Sequence, residues 1–225
     1  MKHALIVATA LLSVSCAEPN EAPALSDAHR ANATATADLA LLSDALESIR
    51  RRHGEVDSGL LLNDAASDAA LNDAEARLGC RLPLELRSLW QWRNGEQSDL
   101  FIWYHRFLPL EAALIERDEL LSSTFAVRRG RNWVPVFDFE GEWYAVECSD
   151  VAELASPVVH FFIEDDPRIA YANLTTFMQT MAQGMTDGAI TWDGSAWRAN
   201  TRLLSTIHSA RNPGIRFPYA VPDGG

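Results

Sequence analysis

The side chains best suited to bond-making chemistry are six histidines (His3, His29, His53, His105, His160 and His208) and three cysteines (Cys16, Cys80 and Cys148). No two histidines stand four residues apart and no Cys-x-x-Cys accompanies them, so the spacing supports no metal site. There is no G-x-S-x-G elbow, no phosphate loop and no G-x-G-x-x-G, and no cofactor is expected. The pairs Glu140/Glu142 and Asp165/Asp166 could form an acid/base dyad, although turns collect such residues routinely. His105, in Trp103-Tyr104-His105-Arg106, and His160, in a predicted strand, read as polar edge residues rather than bases. No catalytic residue is assigned on these grounds. The reading is a non-enzymatic module; the alternative is an enzyme whose groups converge from distant segments.

Charge placement is the most informative feature. Nine acids lie between Asp138 and Asp166: Asp138, Glu140, Glu142, Glu147, Asp150, Glu153, Glu164, Asp165 and Asp166. No arginine or lysine falls between Arg131 and Arg168 to balance them. Such a stretch is either a solvated acidic face or a docking surface for a basic partner, which it would draw in by electrostatic steering. Phe139, Trp143, Tyr144, Phe161 and Phe162 are interleaved with the acids and would anchor a partner where they point outward. Strand alternation buries most of them. The whole chain carries 19 basic and 31 acidic residues, net −12, with Lys2 its only lysine. That balance argues against binding nucleic acid and against docking on anionic lipid through basic residues.

The segments that would carry these residues follow from periodicity. With 225 residues, 48% of them hydrophobic, the chain can bury a core without staples. Helices are predicted over 37–52, 64–78, 83–92, 109–122, 173–185 and 201–209. Strands are predicted over 100–104, 133–139, 143–148 and 158–163, with a hairpin turn at Glu140-Gly141-Glu142. Strand signals continue at Ile190-Thr191-Trp192 and Trp197 around an Asp193-Gly194 turn. The elements alternate without βαβ regularity, so the fold class is α+β: a single domain with a mainly antiparallel twisted sheet flanked by helices. Trp90 and Trp133 are expected in the core. Cys80 and Cys148 read as small buried apolar residues, their pairing left open.

The N-terminus reads as an address. Met1-Lys2-His3 precedes an apolar run from Ala4 to Leu12, too short to span a bilayer but suited to a cleaved secretory signal. Ser13-Val14-Ser15-Cys16 resembles a bacterial lipobox, with Ser13 where that pattern prefers leucine, so lipidation is expected at Cys16. The expected organisation is a signal over 1–16, a flexible tether over 17–37 and a domain over 38–225. The protein would then be an exported periplasmic or outer-membrane lipoprotein, touching the membrane only through its lipid.

Three groups of residues resemble one family. Glu75-Ala76-Arg77-Leu78-Gly79, continuing to Leu82-Pro83 and then Asn94-Gly95, is similar to the "E-x-x-L-G-x-x-L-P, helix, N-G" opening of the SUKH superfamily. Leu108-Pro109-Leu110-Glu111-Ala112 resembles the start of its next helix. Trp133-Val134-Pro135-Val136-Phe137, Ser156-Pro157-Val158 and Leu174 to Met178 resemble its "W-x-P-x-F", "S-P-V" and "S-L-x-x-F" marks, and Asn212-Pro213 also fits. The resemblance covers about residues 60–213. The superfamily includes a yeast regulator of cell-wall assembly and bacterial immunity proteins that neutralise toxins. It implies an α+β fold and an immunity-like role in binding a protein partner, here a basic toxin or envelope protein. The alternative is an envelope enzyme or glycan-binding protein using a cleft on the same scaffold.

Overall fold

The computed structural model describes residues 22–98, 101–122, 132–162 and 166–219, with side chains essentially from Asp38 onward. The chain divides into two units, Met1–Thr34 and Ala35–Gly225. Helix α1 spans Ala22–Glu55, so its backbone is already helical through most of the range expected to be a tether. Alanine, the best helix former, recurs through that segment and accounts for the early start. From Leu42 onward Leu42, Leu46 and Ile49 are buried.

Helices α2 (Asp68–Leu78) and α3 (Leu84–Trp92) follow, then a two-residue strand β1 (Arg106–Phe107) and helix α4 (Leu110–Ser122). Strands β2 (Trp133–Phe139), β3 (Glu142–Glu147), β4 (Val158–Phe162) and β5 (Arg168–Tyr171) join β1 in an antiparallel sheet of order β1-β2-β3-β4-β5. Helix α5 (Leu174–Thr186), a separate hairpin of β6 (Ile190–Trp192) and β7 (Trp197–Ala199), and helix α6 (Thr201–Arg211) complete the described elements. The fold is α+β, as expected. The described part of the predicted 100–104 strand, Phe101 to Tyr104, is not a strand. Phe101 and Ile102 are buried in a tight turn closed between Ile102 and His105, so burial rather than ladder pairing selected that apolar run.

Alternation sorts the sheet's two faces. Tyr144 and Val146 of β3 and Val158 of β4 enter the main core, where Phe177, Met178 and Met181 of α5 meet Leu86, Leu89 and Trp90 of α3. Trp143, Ala145, Val159 and Phe161 face the other way and form a smaller cluster with Leu120 of α4. Trp90 is fully buried, whereas Trp133 is only partly buried and stacks on Phe161 at the margin of the smaller cluster.

The family-like marks have mechanical roles. Asn94 Oδ1 accepts the Leu110 N–H at 2.8 Å, serving an otherwise orphaned donor at the start of α4. Gly95, at φ +76°, lies so close to Pro109 that a Cβ would stand 2.3 Å from its nitrogen. The Asn-Gly pair and the Leu-Pro pair fourteen residues on thus form one joint. Buried Glu75 accepts the Leu82 N–H at 3.0 Å and pairs with Arg87 at 3.1 Å. Buried Glu85 reaches from α3 to the N–H groups of Leu174 and Thr175 at the start of α5, at 3.1 and 3.3 Å. Burial holds its carboxyl above the usual range despite those bonds. Asn212 Oδ1 accepts the Ala172 N–H at 2.9 Å.

Cys80 and Cys148 are joined by a disulfide with a Cα–Cα distance of 5.8 Å across 68 residues of sequence. The pairing question is thereby answered, and both cysteines are also buried. The bond stands beside a bridge in which Arg81 and Ser149 exchange backbone hydrogen bonds. Closing a loop of this length is worth about 4 kcal/mol in the chain-entropy account.

Candidate functional site

The sheet register brings one acid of the sequence cluster into company that its local sequence does not announce. Glu142 opens β3 directly opposite Phe139 of β2 and Phe162 of β4. Directly opposed residues share a face, so the three form a row across the end of the sheet. One step further in, Tyr144 stands opposite His160.

Glu142 Oε1 is the meeting point. His160 donates to it from Nε2 at 2.5 Å, the Tyr219 hydroxyl donates at 3.0 Å, and His105 Nε2 lies 3.5 Å away. Tyr144 in turn donates to the Tyr219 oxygen at 2.7 Å. Both histidines are buried. They are not the polar edge residues expected from sequence, because β4 has neighbours on both sides and the 102–105 turn folds inward. Burial pushes the Glu142 carboxyl up, but its interactions with His105 and His160 outweigh it and hold the group well below the ordinary carboxylate range. Burial holds His105 below the usual imidazole range. It also raises Tyr144 and Tyr219, which therefore remain protonated donors.

The cluster ties β3 and β4 to two remote segments, the 102–105 turn and Pro218-Tyr219. Arg168 adds a hydrogen bond to the Pro218 carbonyl. With Oε1 receiving donors and the carboxyl firmly ionised, Glu142 is a poor proton acceptor at neutral pH. The arrangement is one of positioning. Among the described residues no group of three His, Cys, Asp or Glu side chains is placed to hold a metal, and no helix is long and apolar enough to cross a membrane.

Residues 65–180, just over half the chain, match the SMI1 / KNR4 family (SUKH-1). The chain belongs to that family. Among curated proteins none matches it. The SUKH-1 match takes in Glu75, Glu85, the Asn94-Gly95 joint, His105, Glu142 and His160, but neither Tyr219 nor Asn212. The marks and most of the carboxylate cluster therefore lie within the one matched span, which Tyr219 joins from beyond it.

The other acids of the sequence cluster are dispersed. Asp138 is engaged by Arg106 through two hydrogen bonds, 3.0 and 2.8 Å. Glu140 is exposed in the β2–β3 turn and Asp166 in the β4–β5 connection, both at the Glu142 end of the sheet. Glu147, Asp150 and Glu153 are exposed at the far end, beyond five residue steps of β3, about 17 Å away. The seven described acids of the stretch thus fall at two separate ends of the sheet, since antiparallel strands return their turns alternately to opposite ends. Glu164, Asp165 and Cys16 lie outside the described residues. Trp143, Tyr144 and Phe161 are buried because both faces of the sheet are covered there, while Phe139 and Phe162 are each 37% exposed. Neither His105 nor Tyr219 was a sequence candidate for this site, and only their shared contact with Glu142 reveals them.

Proposed function

We propose that this SUKH-1 protein is an exported, non-enzymatic module of the cell envelope, immunity-like, that binds a basic protein at the Glu142 end of its sheet. The observation that carries the proposal is the coincidence there of two exposed rings, Phe139 and Phe162, with the exposed acids Glu140 and Asp166. Interfaces place aromatic anchors inside a charged rim, and that is the pattern here. The family supplies the module type. Export and lipidation at Cys16 rest on the N-terminal signal, and the buried disulfide supports an oxidising compartment.

Glu147, Asp150 and Glu153 form the opposite acidic end and are assigned to solubility. A second reading, a glycan-binding cleft, draws on a hollow of about 440 Å³ beside Phe139, walled by Trp103, Tyr104, Trp197 and Arg198. Aromatic walls of this kind can stack on sugar rings. Capture with tagged, membrane-extracted protein separates the two. A stoichiometric basic protein released by salt supports the first reading, and retention on a glycan matrix without such a partner supports the second. For the anchor, the protein should enter the detergent phase and Cys16→Ser should not; a fully water-soluble wild-type protein contradicts lipidation.

A further inference from the structure

We infer that the row Phe139–Glu142–Phe162 receives a single arginine side chain of the partner, the guanidinium pairing with Glu142 Oε2 and lying against the flanking rings. This rests on the proposed docking role and names the chemistry that role requires. Every hydrogen bond to Glu142 falls on Oε1, from His160 and Tyr219, and the nearby His105 also addresses that oxygen. Oε2 takes no hydrogen bond among the described residues, and the side chain keeps 13% of its surface. The carboxylate is thus held fixed by one oxygen and offers the other outward.

A preorganised acceptor of this kind loses little side-chain entropy on binding. The two rings on either side suit a flat, weakly hydrated cation better than a compact, strongly hydrated ammonium, which selects arginine over lysine. Glu140 and Asp166, exposed at the same end, add attraction for a cation and repel an anion. The hollow that Phe139 helps to line does not include Glu142 or Phe162 and is not part of the receptor. It contains the protein's own Arg198, already paired with Asp193 at 2.7 Å.

The test is an NMR titration of the full, isotopically labelled chain with N-acetyl-argininamide and, separately, N-acetyl-lysinamide. The arginine probe should give saturable shifts confined to Phe139–Glu142, Phe162 and their neighbours, with the lysine probe at least threefold weaker. Glu142→Gln should weaken the arginine probe at least tenfold. Because that change also disturbs the histidines, a second variant, Phe139→Ala with Phe162→Ala, removes no hydrogen bond to the carboxylate and should weaken the arginine probe at least threefold. If Glu142→Gln does not fold, the double variant decides. Shifts spread equally over both acidic ends, or unchanged affinity in the double variant, would overturn the inference. Its failure is distinct from failure of the docking reading: a salt-sensitive basic partner captured equally by wild type and the double variant sinks the receptor alone. A saturable arginine site without any such partner sinks only the docking reading.

Discussion

Glu142 and His160 are diagonal neighbours on adjacent strands, and the 2.5 Å bond from His160 Nε2 to Glu142 Oε1 crosses the ladder between them. Glu142 pairs with Phe162 and His160 pairs with Tyr144, so the bond links two successive rungs on the face that carries the exposed rings. It is both a clasp on the sheet's end and the device that fixes the outward oxygen. Hydrogen bonds to charged groups are worth about 1.5–3 kcal/mol, and one left partnerless in a buried site costs at least as much.

The first expectation follows directly. His160→Ala and Glu142→Gln should each lower stability by about 2–3 kcal/mol in chemical denaturation, and the double variant should lose at least about 1 kcal/mol less than their sum. Strict additivity would mean that the two residues do not act as a unit.

Acid should act through His53. Its ring accepts from the Ser58 hydroxyl at Nδ1 (2.6 Å) and donates to the Phe101 carbonyl from Nε2 (2.9 Å), an assignment drawn from the hydrogen-bond network. Burial pushes its pKa down to about 4 from 6.5. The unfolded chain then binds more protons between these values, so the stability His53 confers is complete above pH 6.5 and is lost as pH falls toward 4. The difference is about 3 kcal/mol. Burial lowers His105 and His208 also, in the same sense. Glu85 and Glu116, raised by burial, act in the opposite sense. The isolating comparison is therefore with His53→Gln, whose stability should fall less steeply between pH 6.5 and 4. Parallel curves would contradict the assignment.

The joint at Gly95 gives a sharper structural test. A methyl group there meets the Pro109 backbone at 2.3–2.6 Å, and the residue's φ of +76° already disfavours a side chain. Gly95→Ala should cost about 3 kcal/mol or more, whereas Gly188→Ala, also at positive φ but with open space around the new carbon, should cost only about 1 kcal/mol. Equal melting shifts in the two variants would show that the close approach to Pro109 is unimportant.

These residues also show what could be read from the sequence. Helices with a strong apolar stripe, such as α3 and α5, were legible, as was the hairpin of β2 and β3, because each buries one face and the period records it. Strand β5 and the turn at 102–105 were not. The four residues of β5 carry too little pattern, and the apolar run at Phe101-Ile102 owes its burial to tertiary packing. The acidic stretch was visible but its geometry was not. Sequence proximity says nothing of which turn returns to which edge, and the antiparallel register alone separates Glu140 from Glu147. The Glu142 cluster was hidden for a related reason: its members come from the 102–105 turn, two strands and Tyr219, and only folding makes them neighbours.

The most direct measurement of the central claim compares two charge reversals of equal size at the two ends of the sheet. Glu140→Lys with Asp166→Lys alters the end that carries Phe139 and Phe162; Asp150→Lys with Glu153→Lys alters the other by the same net amount. Association rates with the captured basic partner, taken by stopped flow at low and at physiological salt, report steering at each end. The account predicts that the Glu140/Asp166 variant associates at least tenfold more slowly than the Asp150/Glu153 variant at low salt, with the gap narrowing as salt is added. Equal slowing by both would leave a diffuse acidic field with no docking end, and would contradict the account.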